Sequence, residues 1–408
     1  MTLDAISIGG VDLADPDTYA AGMPFDAFRK LRECAPVTWH PYQDGPGFLA
    51  LTGYDEVLAV SRDSATWSSE ATGVYFDAPG PDDIADQRGV MMLTMDPPRH
   101  TKLRALVSTG FKPRQVAKLN ERITDMARDV VDSVIERGEC DFVTDVAGAL
   151  PSYVIADMLG IPLEDGYRLY ELTEIMNTGS IAGSRAIRAA AEMFGYSTKL
   201  VARKRADPGD DIATSLLHAE VDGQRLTERE FNYLFLLLIN AGGDTTRNLV
   251  AGGTCVLMGH PEERAKLAAD PSLLPTAVEE MLRYVSPIIA FFRTATKDTE
   301  LRGVPVKEGD RVALFYPSAN RDEAYFADPD RFEVTRKPNP HLAFGGGGTH
   351  FCLGANLARA EAAALVSEVL SRMKNMELAG PVERMPSTVI NGIHSMPVRF
   401  TPARRVGA

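Results

Sequence analysis

Residues 36–51 alternate between apolar and polar side chains around Gln43-Asp44-Gly45-Pro46-Gly47, which predicts a β-hairpin. Thr52 then stands where it would cap a short helix running through Ser61. Residues 70–90 are rich in Gly, Pro and Asp and predict a long loop, of a kind that is usually functional or mobile. Helical periodicity dominates from about 98 to 285, with breaks near Gly138, Gly160-Ile161-Pro162, 207–211 and 221–223. The longest helix is expected from roughly 228 to 258 and is hydrophobic nearly all round. Residues 299–316 predict short strands around Gly303 and Gly309. The stretch 322–350 reads as irregular chain, with Pro329, Pro338, Pro340 and four consecutive glycines. A further helix is expected from about 353 to 374, then short strands and turns over 382–402. The expected class is mainly α with small β portions at about 36–51, 299–316 and 382–402. No repeat or composition shift marks a boundary, so one domain over 1–408 is expected.

The formal net charge of −13 argues against non-specific nucleic-acid binding, which needs cations on phosphates. Cys34, Cys140, Cys255 and Cys352 form no C-x-x-C pair, so a zinc ribbon or a thioredoxin-type motif is not expected. Their scatter suits reduced thiols in a cytoplasm. The N-terminus lacks a basic stretch followed by an apolar one, so no signal peptide is expected. The most apolar run, 234–239, is interrupted by Asn240, Asp244 and Arg247, well short of the roughly 20 residues a membrane span needs.

Four segments carry candidate chemistry. In 343–355, the run Gly345–Gly348 precedes Cys352 at the start of a helix. Glycines allow positive φ and close approach, and a helix start favours a thiolate. Such a thiolate is a nucleophile or an iron ligand. The bland alternative is a surface loop with a small buried cysteine. A phosphate-binding reading fails, because no Gly-Lys-Ser/Thr follows. Second, Glu280 and Arg283 share a helix face at i,i+3, as many exposed ion pairs do. Third, Gly242 and Gly243 lie mid-helix, where each costs about 1 kcal/mol relative to alanine. They leave room for a flat ligand, and Thr245 competes for the carbonyl four residues back. A kinked packing helix explains them as well. Fourth, Asp96-Pro97-Pro98-Arg99-His100 opens a helix that places His100 and Arg104 on one face. A solvated basic face is the alternative there.

Taken together, these segments resemble the cytochrome P-450 superfamily. Gly346, Gly348, His350 and Gly354 stand, relative to Cys352, where the haem-binding loop of that family has glycine, glycine, a basic residue and glycine. Phe344 stands eight residues before Cys352, one more than usual. The longer loop resembles bacterial members that oxidise sterol side chains and methyl-branched lipids. Ala241-Gly242-Gly243-Asp244-Thr245 is similar to the family's distal motif. Glu280 and Arg283, with Arg331 of Pro329-Asp330-Arg331-Phe332, resemble its buried structural triad.

The resemblance implies a P-450 fold, with haem b between the long helix and the cysteine loop. Cys352 would ligate the iron, with Phe344, Gly345, His350 and Gly354 of the loop beside it. Ala241 and Gly242 would lie over the haem, and Asp244 and Thr245 would form an acid–alcohol pair delivering protons. His100, Arg104, Arg293 and His350 would hold the propionates.

The implied activity is insertion of one oxygen atom from O2 into a C–H bond of a hydrophobic small molecule. A steroid, terpenoid or branched lipid is expected, with an aromatic natural product as the alternative. Electrons would come from NAD(P)H through a ferredoxin and its reductase. Lys102, Lys112, Arg114 and Arg359 are the candidate docking cations. By the same match the substrate pocket takes Val74, Tyr75, Phe76, Met91, Met92 and Leu93 from the loop region. Met176 and Asn177 would come from a lid helix, and Leu237, Ala241 and Thr245 from the long helix. Ile288, Ile289, Phe292, Ile390 and Ile393 would complete it. A haem-thiolate sensor and a cofactor-free binding protein are the rival classes. A peroxide-driven oxygenase ranks lower, because it usually replaces the acid–alcohol pair. His40, His218 and His341, and Cys34, Cys140 and Cys255, are expected as packing residues.

Overall fold

A computed structural model describes residues 4–42, 45–76, 89–178, 184–221 and 223–406. Its organising element is the helix Glu228–Gly259, close to the span the sequence predicts. Thr227 and Glu230 start it with a reciprocal capping box. His260 and Pro261 end it and open the next helix. Helices Ala149–Met158, Leu163–Thr178, Ser184–Ala206, Leu274–Val285 and Ala355–Arg372 pack around it. Their apolar faces meet in one core that includes Leu150, Leu234, Phe235, Ile239, Met281 and Leu365. Ala355–Arg372 also packs along Pro113–Ile135.

The main sheet has five strands in the order Val37–His40, Phe48–Leu51, Arg311–Phe315, Ala290–Ala295 and Trp67–Ser68. Val312 pairs with Leu49 in parallel, and Arg311 with Thr294 antiparallel. The predicted hairpin is present, with Val37 opposite Leu51, although Gln43 and Asp44 lie outside the described residues. Both faces of this sheet are covered. Val312 and Leu314 enter one cluster, and Ala313 and Phe315 enter another. Burial on both sides removes the polar alternation that marks a strand in sequence. The strand Ala290–Ala295 was not predicted for that reason.

Three local expectations change. The first short helix runs from Tyr54 to Arg62, and Thr52 does not cap it. The Tyr54 N–H instead donates to the Asp322 carboxylate at 2.8 Å, a cap supplied from far along the chain. The C-terminal helix starts at Ala355 rather than 353, because the chain through Cys352 to Gly354 is still turning. The predicted loop is irregular over 70–76, and 77–88 lie outside the described residues. Among the described residues, no single helix is long and apolar enough to cross a membrane.

Candidate active site

The cysteine loop is shaped by its glycines. Gly345, Gly346, Gly347 and Gly348 have φ of +89°, +63°, +102° and +76°, all in the left-handed region. The run leans on the helix Tyr54–Arg62. A Cβ on Gly348 would lie 2.3 Å from the Ser61 carbonyl oxygen. Arg62 Nε donates to the Gly346 carbonyl at 3.1 Å. The chain then returns, and the Cys352 N–H donates to the Phe344 carbonyl at 3.0 Å.

Under this loop, Arg359 clasps Glu279 through two hydrogen bonds of 2.6 and 2.8 Å. The Arg359 guanidinium also lies 4.5 Å from the centre of the Phe344 ring. His341 Nε2 sits 3.0 Å from the same carboxylate. Burial acts to raise the Glu279 pKa, but the hydrogen bonds from Arg359 and His341 outweigh it and hold the carboxyl at about 2. Arg359 is therefore a strut of the cysteine platform whose side chain stays 35% exposed, and His341 is more than packing. Burial pushes the Cys352 thiol up, opposed by a hydrogen bond from the Gly354 backbone and by the charges of Arg104 and Arg359. A partly open thiol of this kind is deprotonated on binding a metal cation, so the donor fits an iron.

A second group gathers four basic side chains. The rings of His100 and His350 are 4.1 Å apart, with Arg293 and Arg104 close enough to perturb both. Burial, then Arg104, lowers the His100 pKa to about 4. Burial, then Arg293 and His100, lowers that of His350 to about 2. Buried His100 has no hydrogen-bond partner for Nδ1 among the described residues. Arg293 is buried too, and one of its nitrogens donates to the Phe292 carbonyl at 2.6 Å. The nearby Asp96 carboxylate accepts from Ser68 and Ser69. Desolvation and the nearby arginine charges disfavour protonation of both histidines, and an anion among the four groups would relieve that cost and pair the two arginines. The two propionates of a haem fit this cluster.

The third group lies on the central helix. Leu237, Ala241 and Thr245 form an i, i+4, i+8 stripe that stays open in the middle of the helix. The Thr245 hydroxyl donates to the Ala241 carbonyl at 3.1 Å, as the sequence suggests. The glycines do not share this stripe. A Cβ on Gly242 would lie 3.3 Å from Ile155, and one on Gly243 would lie 3.1 Å from the Tyr170 ring. They make room for neighbouring helices, which corrects the placement of Gly242 against a flat ligand. Asp244 is buried, with Arg247 at 3.7 Å. Arg247 is fully buried and also donates to the Tyr170 hydroxyl and to Glu174. Next to it, Thr246 hydrogen-bonds Glu361 of the helix Ala355–Arg372. Burial pushes the Glu361 carboxyl up to about 8. The sequence reading missed Arg247, Tyr170, Glu174 and Glu361. A lone arginine inside an apolar helix was the available signal.

The profile of the cytochrome P450 family, as its name is written without the hyphen, matches residues 167–389. A methyl-branched lipid omega-hydroxylase of Mycobacterium tuberculosis is 38% identical over 97% of this chain and 96% of its own. A steroid C26-monooxygenase of the same species is 38% identical over 96% of this chain and 93% of its own. A Mycobacterium marinum cytochrome P-450 solved with pseudoionone superposes with a TM-score of 0.88 at 37% identity, covering 94% of this chain and 97% of that one. The chain belongs to the cytochrome P-450 family. It is a monooxygenase, and haem iron is its cofactor.

In this P-450 the Glu280–Arg283 pair is fully buried and doubly hydrogen-bonded at 2.8 Å. Its third member is not Arg331. Arg336 Nε donates to Glu280 at 3.1 Å, whereas Arg331 is exposed and offers only its carbonyl, to Arg283 and Arg336.

The pocket expectations divide. Val74, Phe76, Ile289 and Phe292 are closed in packing. Phe76 and Phe292 sit edge-on at 4.7 Å beside Phe48. Met92 and Ile393 belong to the main core, and the Ile393 N–H donates to Asn248 at 3.0 Å. Tyr75, Met91, Leu93, Met176, Leu237, Ala241, Thr245, Ile288 and Ile390 stay partly open. The Asn177 side chain lies outside the described residues. Ile288 bridges Ile390. Strand alternation puts Phe291, not Phe292, on the face of Arg293. Counting by two from Arg293 would have found it.

Proposed function

We propose that this P-450 hydroxylates an unactivated C–H bond of a steroid, a terpenoid or a methyl-branched lipid, using O2 and electrons from NAD(P)H delivered by a ferredoxin and its reductase. The observation that carries this is the open stripe Leu237–Ala241–Thr245, apolar for two residues and ending in a hydroxyl. Partly open Met91, Met176, Ile288 and Ile390 supply further apolar surface, which suits a hydrophobic guest. The names of the lipid and steroid hydroxylases at 38% identity support the same substrate class.

Haem bound to a thiolate supplies the oxidising chemistry. The chain's own groups do the rest. Cys352 Sγ would hold the iron. His100, Arg104, Arg293 and His350 would take the carboxylates and fix the orientation. The Thr245 hydroxyl holds a proton over the stripe, and Asp244 beside it restores that proton from inside the helix bundle. Lys102, Lys112 and Arg114 are exposed and are the cations for an acidic ferredoxin.

The test is the absorption spectrum of the dithionite-reduced protein under carbon monoxide. A strongly red-shifted Soret band, lost in Cys352→His, is expected. An unshifted band overturns the thiolate assignment. Thr245→Ala should consume NADH without matching product. Unchanged coupling would favour a sensor over an enzyme.

A further inference from the structure

We infer that Arg311 is a positioning residue of the substrate pocket, fixing the main chain at Tyr75 and Phe76 so that Tyr75 meets Phe291 at the pocket edge. This rests on the reading of Tyr75 as a pocket residue.

Arg311 begins a strand whose other members are Val312, Ala313, Leu314 and Phe315, all buried. It is itself only 8% exposed. A charge in such a place is costly unless its donors are used. One guanidinium nitrogen donates to the Phe76 carbonyl at 3.0 Å and the other to the Tyr75 carbonyl. The group also lies 4.3 Å from the centre of the Phe292 ring. Both acceptors belong to irregular chain, which has no ladder of its own to satisfy them.

Two further ties run along the same edge. The Phe292 N–H donates to the Val74 carbonyl at 2.9 Å, and the Thr72 and Thr294 hydroxyls meet at 2.6 Å. Residues 72–76 are thus zipped to the strand Ala290–Ala295. Phe76 turns inward against Phe48 and Phe292. Tyr75 turns the other way and is 38% exposed. Its ring stands 6.2 Å from Phe291, tilted by 64°. Phe291 lies on the Arg293 face, the face of the proposed propionate site. The Arg311 fork therefore sets the height of one aromatic wall. A wall held this way discriminates by shape, so it acts on bulky guests and not on small ones.

The experiment titrates the holoenzyme with clotrimazole, a triaryl imidazole, and with imidazole itself, following the Soret shift. Variants are Arg311→Met, Arg311→Lys and Tyr75→Leu. Arg311→Met should weaken clotrimazole about tenfold through loss of two charged hydrogen bonds, with imidazole affinity and the carbon monoxide band unchanged. Arg311→Lys should recover part of the loss and is read in the same way if the Met variant fails to fold. Loss of imidazole binding or of the carbon monoxide band in parallel would reduce Arg311 to a structural role and overturn the inference. Wild-type clotrimazole affinity in the Arg311 variants, with Tyr75→Leu weakened, would overturn it while leaving the pocket reading intact. Wild-type affinity in Tyr75→Leu as well would remove the pocket reading of Tyr75, and the inference with it.

Discussion

The Arg247 guanidinium lies 3.7 Å from the Asp244 carboxylate, one helical turn away, and both side chains are closed to solvent. The same guanidinium serves Glu174 on the neighbouring helix. One buried cation thus balances two carboxylates. Removing one partner of such a group is far more damaging than removing all of it. Arg247→Leu is expected to cost about 3–5 kcal/mol in urea unfolding. Arg247→Lys keeps the charge but loses the planar fork, and should fall between. A loss below about 1 kcal/mol for the Leu variant would mean the cluster is not what holds these helices together.

Glu361 gives a pH dependence of definite sign. Its carboxyl is raised from 4.5 to about 8 by burial, so the folded chain holds a proton that the unfolded chain releases. Stability from this group is complete below the unfolded value and falls as pH rises through the folded one. Inside that window each pH unit costs up to about 1.4 kcal/mol. Glu361→Gln removes the titration. Relative to wild type, that variant should gain stability between pH 5 and pH 8 in urea unfolding. Parallel profiles would place the ionisation elsewhere.

The corrected triad predicts an asymmetry between two arginines. Arg336→Met should lose about 3 kcal/mol, because Glu280 is left with one cation in a closed site. Arg331→Met should stay within about 0.5 kcal/mol, since only its carbonyl takes part. Thermal unfolding of the two variants side by side decides the matter. Equal losses would restore the Arg331 assignment.

Two glycines of the cysteine loop should differ as sharply. Gly348→Ala places a methyl against the Ser61 carbonyl at a left-handed φ, and its strain is about 1–3 kcal/mol before any clash. Gly354 has φ −84° and, among the described residues, no protein atom within 4 Å of a Cβ, so Gly354→Ala should fold with little strain. Haem content per purified chain measures both. A haem-poor Gly354→Ala would show that this position needs glycine for a reason other than space.

The parts of this protein that are local were legible in its sequence. The helix Glu228–Gly259 announces itself by length and apolar content, and the hairpin by alternation and its turn residues. The cysteine, its glycines and the Glu280–Arg283 pair stand in contiguous patterns. What escaped depends on chain returning from elsewhere. Asp322 caps Tyr54, Arg336 displaces Arg331, and Tyr170 fills the space left at Gly243. None of these pairings has a fixed spacing to read. The buried strand Ala290–Ala295 escaped for another reason: with both faces covered it carries no polar rhythm, so Phe292 was taken for Phe291.

The contact between the glycine arch and Ser61 bears on how the molecule is made. Arg62 and Gly346 are separated by 284 positions, and the helix that carries Ser61 leaves the ribosome long before the glycines exist. Domains begin to fold from the N-terminal side during synthesis. The glycine run is therefore made after the helix it leans on, with the helix Ala355–Arg372 still to follow. Iron ligation at Cys352 would then depend on the fit between two segments made at different times.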